Sequence, residues 1–192
     1  MIKLIVFDLD GVLVDAREIH YQALNAALKD VDEKYVINRQ EHLSLYDGLS
    51  TTKKLNMLTK NKGLSKDLHN LIWKLKQDKT IEIIDQFNTD ERICKILKKL
   101  KTEGYMIACA TNSIRKTAKL QLIRKGFFEH IDFLYSNQDV TKPKPSSEIY
   151  MRCMLRANVD PHETVIVEDS HHGRKAAINS GGHLCAVKNS SD

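Results

Sequence analysis

Scarcity narrows the reading of this 192-residue sequence first. It has four cysteines, Cys94, Cys109, Cys153 and Cys185, and no two lie close together. Neither a zinc site nor a disulfide framework is therefore indicated. Cys109 and Cys185 fall in apolar runs and are expected as small core residues. No apolar stretch is long enough to span a bilayer and no secretory leader pattern opens the chain, so no membrane partner is expected and a cytoplasmic location is. Aromatic residues make up only 6% of the chain, with one tryptophan, so the lysines between Lys53 and Lys101 have no stacking platform among them. The formal charge of +5 mildly favours anionic ligands, but the spread is that of solvated helix faces, and no nucleic-acid partner is expected. Repeats and low-complexity tracts are absent. A small-molecule ligand and a monomer or weak dimer are the expected state.

The residues that are present suit a soluble fold. Hydrophobic residues are 42% and charged residues 29% of the chain, and a core of this size needs no staple. Five short apolar runs stand out: 3–8 (KLIVFD), 105–110 (YMIACA), 131–135 (IDFLY), 164–167 (TVIV) and 183–187 (HLCAV). Nearly continuous apolar runs of this length suggest strands buried on both faces, as in a parallel sheet. Helical patterns separate the later runs. Thr89 can cap a helix over 90–101, with Ile93, Ile96, Leu97 and Leu100 at helical spacing and Gly104 closing it. Residues 114–125, 147–157 and 173–180 behave similarly. Strand and helix in alternation imply right-handed crossovers and a Rossmann-like α/β sheet. Residues 16–87 break the rhythm: they carry helical patterns at 20–28, 52–58 and 68–76 and no convincing strand. The expected organisation is an α/β core of residues 1–15 and 88–192 with an inserted α-helical cap of residues 16–87, beside the sheet's C-terminal edge.

In a parallel α/β sheet, ligands bind just beyond the C-terminal ends of the strands. The first run ends Asp8-Leu9-Asp10-Gly11, followed by Val12 to Asp15. Two carboxylates two residues apart on the turn leaving a buried strand can flank one reacting centre, one attacking and the other moving a proton. Gly11 permits the tight turn. Asp-x-Asp-Gly also occurs in calcium loops, but the further ligands and the distal Glu of that pattern are missing. The second run ends Ala110-Thr111-Asn112-Ser113, where a hydroxyl and backbone amides at a helix start can cradle a phosphate or simply cap the helix. After the third run comes Lys142-Pro143-Lys144-Pro145, a stiffened loop able to present a lysine. The fourth ends Glu168-Asp169, an acid pair that is costly at the end of an apolar strand unless solvated, paired or metal-bound.

Acid pair, hydroxyl, lysine and acid pair, in that order, resemble the haloacid dehalogenase superfamily over nearly the whole chain. FDLDGVLVD resembles its first motif, ATNS its second, KPSSEIY its third and VEDSHHGRKAA its fourth. The resemblance is to the phosphatase and β-phosphoglucomutase-like branch with a helical cap. It implies a magnesium-dependent phosphatase in which Asp8 is the nucleophile and Asp10 the general acid and base. Thr111 and Asn112, with the Gly11 turn, would bind the phosphoryl group, and Lys144 would neutralise it. Mg²⁺ would be held by the Asp8 carboxylate, the Asp10 carbonyl and Asp169, with Glu168 close by. The substrate class implied is a small phosphorylated metabolite such as a sugar phosphate.

The lysine depends on register. The family pattern is Lys-Pro-x-Pro, then an acid, an aliphatic and an aromatic residue. Glu148, Ile149 and Tyr150 fall in place when counted from Lys144 and are shifted by two from Lys142. Ser147 stands where a second proline is usual. Asp15, His20 and the segment from Tyr46 through Asp47, Gly48, Leu49 and Ser50 to Thr51 occupy places that look like substrate positions of sugar-phosphate phosphatases and mutases. The mutases' phosphate-gripping arginine is replaced by Thr51, which favours hydrolysis over a mutase; Arg115 is a partial substitute. A phosphometabolite-binding module without catalysis is the reading from another class, and the intact Asp8 and Asp10 argue against it. Family members continue into a further helix, whereas this chain stops at Asp192. The expectation is a truncated chain or one domain of a longer polypeptide.

Overall fold

Apolar strands separated by amphipathic helices bury both strand faces only when the helices cross over the sheet. The chain does this in a computed structural model, which describes residues 1–46 and 49–188. Strands β1 (Leu4–Phe7), β2 (Met106–Ala110), β3 (Phe133–Tyr135), β4 (Thr164–Glu168) and β5 (His183–Ala186) form one sheet in the order β3-β2-β1-β4-β5. Every pairing is parallel. The central strand β1 places Val6 opposite Ala108 on one side and Ile166 on the other. All strands therefore deliver their C-terminal ends to one edge.

Helices α1 (Ala16–Val31), α2 (Arg39–Glu41, a single turn), α3 (Thr51–Lys62) and α4 (His69–Ile84) precede the crossover helices α5 (Glu91–Thr102), α6 (Arg115–Arg124), α7 (Glu148–Ala157) and α8 (His171–Ser180). Leu4, Val6, Ala108, Ile149, Tyr150 and Ile166 belong to one fully buried apolar cluster of the sheet and its helices. Helix α5 starts one residue later than Thr89 capping would place it. Asp90 is the cap, with extended backbone and its Oδ1 accepting from Ile93 N at 3.1 Å. A carboxylate cap also complements the positive end of the helix dipole.

The chain divides into two compact units, Met1–Ala16 with Phe87–Asp192, and Arg17–Gln86. The second is helical and has no strand among its described residues. Its helical segments run further than apolar spacing alone suggests; in α3, Ser50 caps the start and Gly63, at φ +68°, ends it. Leu28, Ile37, Tyr46, Leu58 and Ile72 lie in its core, and Asn25 ties the segment after α1 by bonding both the carbonyl and the amide of Ile37 at 2.8 and 2.9 Å. Asp47 and Gly48 lie outside the described residues. No helix among the described residues is long and apolar enough to cross a membrane.

The expectation for Cys185 is corrected. Cys109 is buried on β2, but Cys185 is exposed, as are His183 and Ala186. Strand β5 is one of the sheet's two edges. An apolar run reads alike in a central and an edge strand, and only the topology distinguishes them.

Adjacent residues of α5 test the packing. Leu97 is fully buried while Ile96 is 47% exposed. Leu97→Ala should cost about 2–5 kcal/mol and Ile96→Ala under about 1 kcal/mol, measured by urea unfolding of the two variants beside the parent chain.

Candidate active site

The site begins where β1 stops. Asp8 N donates to Val167 O at 3.0 Å, which carries the β1–β4 ladder one residue past the strand. The chain then folds over the buried Leu9, whose carbonyl accepts from Leu13 and Val14 at 3.0 and 2.9 Å. Gly11 sits at φ +103°, and a Cβ there would fall 2.1 Å from Asp169 Oδ2. Glycine is thus required by backbone conformation and by the approach of a carboxylate. The turn brings the first and fourth strand ends together, Asp8 and Asp10 from one and Glu168 and Asp169 from the other.

Lys144 closes the group. Its Nζ donates to Asp8 Oδ1 at 2.6 Å, Glu168 Oε1 at 2.6 Å and Ala110 O at 2.8 Å. An ammonium has three hydrogens and all three are matched here. Lys144 is buried and Lys142 exposed. The three residues that set the register each have a physical task. Glu148 accepts from the backbone amides of Thr141 and Lys142 at 3.0 and 2.9 Å and so ties the loop to the start of α7. Ile149 is core. The Tyr150 hydroxyl donates to Glu168 Oε1 at 2.6 Å. Asn112 holds the loop from the β2 side, accepting from Lys144 N at 3.0 Å and donating to Lys144 O at 3.2 Å.

Glu168 has no exposed surface. Its second oxygen accepts from Ser170 N and Oγ at 3.2 and 3.1 Å. Gly173 makes room for it, since a Cβ there would lie 1.8 Å from Glu168 Oε1. Asp10 accepts from Ser113 Oγ at 2.5 Å. Thr111 is buried, and its Oγ accepts from Ser113 N at 3.0 Å.

The electrostatics follow from burial. Desolvation pushes the Asp8 carboxyl up to about 8 against the pull of Lys144, and the charges of Glu168 and Asp10 add to the rise. Burial alone would lower Lys144, but Asp8 and Glu168 outweigh it and hold the ammonium firmly charged. The Tyr150 phenol is raised by burial and then by Glu168 and Asp8, so it stays a donor. The carboxylates of Asp8, Asp10, Glu168 and Asp169 outnumber the one ammonium. Oxygens of Asp8, Glu168 and Asp169 lie within 4.8 Å of one another. An oxygen-only set with surplus negative charge fits a hard divalent cation. Glu168 adds charge to this set, but both its oxygens already accept hydrogen bonds from Lys144, Tyr150 and Ser170.

Asp8, Lys144 and Glu168 are thus in direct contact, Asp169 lies against Gly11, and Asn112 meets the Lys144 backbone. Arg115 does not join them: its guanidinium pairs with Asp139 and its amide with Gln138 Oε1. His20 lies in the helical unit, its Nδ1 3.4 Å from Lys76 Nζ. Sequence reasoning missed Ser113, Ser170 and Gly173 as contacts. All three stand inside the quoted motifs, so position alone could have flagged them.

The model of the haloacid dehalogenase-like hydrolase family matches residues 5–187. The chain belongs to this family. Among its relatives, a phosphorylated carbohydrates phosphatase of Thermotoga maritima is 24% identical over 92% of this chain and 81% of its own length. The pyrophosphatase PpaX of Bacillus velezensis is 24% identical over 95% and 82%. The crystal structure of CbbY from Rhodobacter sphaeroides with phosphate has a TM-score of 0.84 at 22% identity, covering 97% of this chain and 86% of that one. It shows the same fold.

The cradle in this hydrolase is testable without a substrate. Gly173→Ala forces its methyl against a Glu168 carboxylate already held by Lys144, Tyr150 and Ser170. It should destabilise the chain by at least about 2 kcal/mol, or roughly 4–8 °C in melting temperature. Lys175→Ala, on the exposed side of α8, should stay within about 1 °C of the parent in the same scan.

Proposed function

We propose that this hydrolase cleaves small phosphomonoesters, a sugar phosphate or similar metabolite, through an aspartyl-phosphate on Asp8. The observation that carries the reading is the Lys144 ammonium fixed between Asp8 and Glu168 at 2.6 Å each, beside an oxygen-only cluster. A carboxylate can approach a phosphoryl dianion only where its charge is offset. Lys144 supplies part of that offset. Asp8 and Asp169, with the Asp10 carbonyl, would hold Mg²⁺, which when bound adds positive charge against the phosphoryl oxygens.

Asp8 attacks phosphorus, forming a carboxylate–phosphorus bond while the bond to the leaving oxygen breaks. Asp10, oriented by Ser113, gives that oxygen its proton. Asp10 then takes a proton from water, the water oxygen attacks phosphorus, and the Asp8–phosphorus bond breaks to release phosphate. Thr111, in the turn before α6, receives a phosphoryl oxygen through its hydroxyl. The Asn112 side chain serves the Lys144 loop, leaving its backbone amide for phosphate. Residues 17–86 take the substrate-selecting role of a helical cap. The names of the phosphatase and pyrophosphatase relatives support a phosphoryl substrate. Thr51, at the head of α3, supports hydrolysis rather than a mutase reaction.

Turnover of p-nitrophenyl phosphate should require Mg²⁺ and stop with EDTA, and Asp8→Asn should abolish it while circular dichroism stays unchanged. Full turnover in chelator, or in Asp8→Asn, contradicts the mechanism. The lysines separate by kinetics on one substrate. Lys144→Ala should lose at least about a hundredfold in kcat/KM, and Lys142→Ala less than about tenfold. The opposite ranking would move the register by two residues.

A further inference from the structure

We propose that Tyr150 is a positioning residue for this reaction, acting through Glu168 to hold the Lys144 ammonium against Asp8. The inference rests on the role given to Lys144 above. Tyr150 reaches the site twice. Its hydroxyl donates to Glu168 Oε1 at 2.6 Å, the same oxygen that accepts from Lys144 Nζ at 2.6 Å. Its ring lies 4.9 Å from Lys144 Nζ, close enough for a cation–π contact. Tyr150 has no exposed surface, so neither contact is diluted by water.

The geometry assigns these contacts to orientation. Glu168 has two oxygens with different donors: Ser170 holds Oε2, and Tyr150 with Lys144 holds Oε1. Without the phenol, the Ser170 bonds still fix one oxygen, but Oε1 keeps only the bond from Lys144. The carboxylate can then rotate and take the ammonium with it. Lys144 has its other two hydrogens on Asp8 and Ala110 O, so a shift toward Glu168 lengthens the contact to Asp8. The positive charge would leave the place where phosphoryl charge develops, and electrostatic stabilisation of this kind depends on prior alignment. An apolar residue at 150 would fill the core equally well. The hydroxyl is explained only by its partner.

Tyr150→Phe keeps the ring and its packing and removes one hydrogen bond. It should lower kcat by about tenfold, at the low end of the loss typical when an outer partner of a charged site is removed. KM should stay within about twofold, since the effect falls on the transition state. Tyr150→Leu removes the ring as well and should lower kcat further. A second measurement needs no turnover. The ¹H–¹⁵N signal of the Lys144 ammonium, visible only while its hydrogens are held and protected from water, should be present in the parent and broadened or lost in Tyr150→Phe. Unchanged kcat with an unchanged ammonium signal overturns the proposal. So does a kcat loss that follows a fall in melting temperature while the signal persists. If the parent chain turns over no phosphate ester, the functional reading fails, and the ammonium signal alone decides Tyr150.

Discussion

The buried ion triad of Lys144 with Asp8 and Glu168 is the constraint on which the rest of the site depends. Burying charged groups costs several kcal/mol apiece in lost hydration, and attraction offsets this only when the geometry is good and the remaining polar atoms are satisfied. Here each ammonium hydrogen has an acceptor, and the acceptors come from the ends of β1, β2 and β4. The triad therefore ties the loop before α7 to three strands. It also explains features that look unrelated along the chain. Gly173 is small because Glu168 needs the space, Ser170 faces back toward the strand it follows, and Asn112 spends its amide on the Lys144 backbone. Breaking one member would leave an uncompensated buried charge.

The surplus of carboxylates at the same edge is the complement of this arrangement. Asp8, Asp10, Glu168 and Asp169 repel one another, and burial pushes Asp8 toward its neutral form. A neutral Asp8 would be a poor nucleophile, so the proposed role calls for further positive charge beside it. A divalent cation held by these oxygens would act in that direction, as do the starts of α6 and α8 at this sheet edge. The sheet's parallel order is what brings these features together, since it places every strand's C-terminal end on one side.

The strands were legible because continuous apolar runs have few other uses in a chain of this composition. The run Glu148, Ile149 and Tyr150 pointed to Lys144, and Lys144 is the lysine that lies buried against Asp8 while Lys142 is exposed. What sequence spacing could not show was the partner of each polar side chain. Arg115 stands two residues from the second motif's last hydroxyl-bearing neighbours, yet its charge is spent on Asp139, which also accepts from Ser136. Cys185 reads as core in an apolar run but lies exposed on β5, an edge strand, and a local window does not contain the strand order. The length of α3 was underestimated because its ends are set by the Ser50 cap and the left-handed Gly63, beyond its apolar stripe.

The covalent intermediate is the central claim, and trapping it is the most direct test. The chain would be mixed with a phosphomonoester and Mg²⁺, quenched in acid within one turnover, digested and analysed by mass spectrometry. The account predicts a phosphoryl group on the peptide that begins the chain, localised to Asp8, released by hydroxylamine and absent in Asp8→Asn. A phosphoryl group on any other residue contradicts the account. So does rapid turnover in which phosphate forms with no covalent species at any quench time.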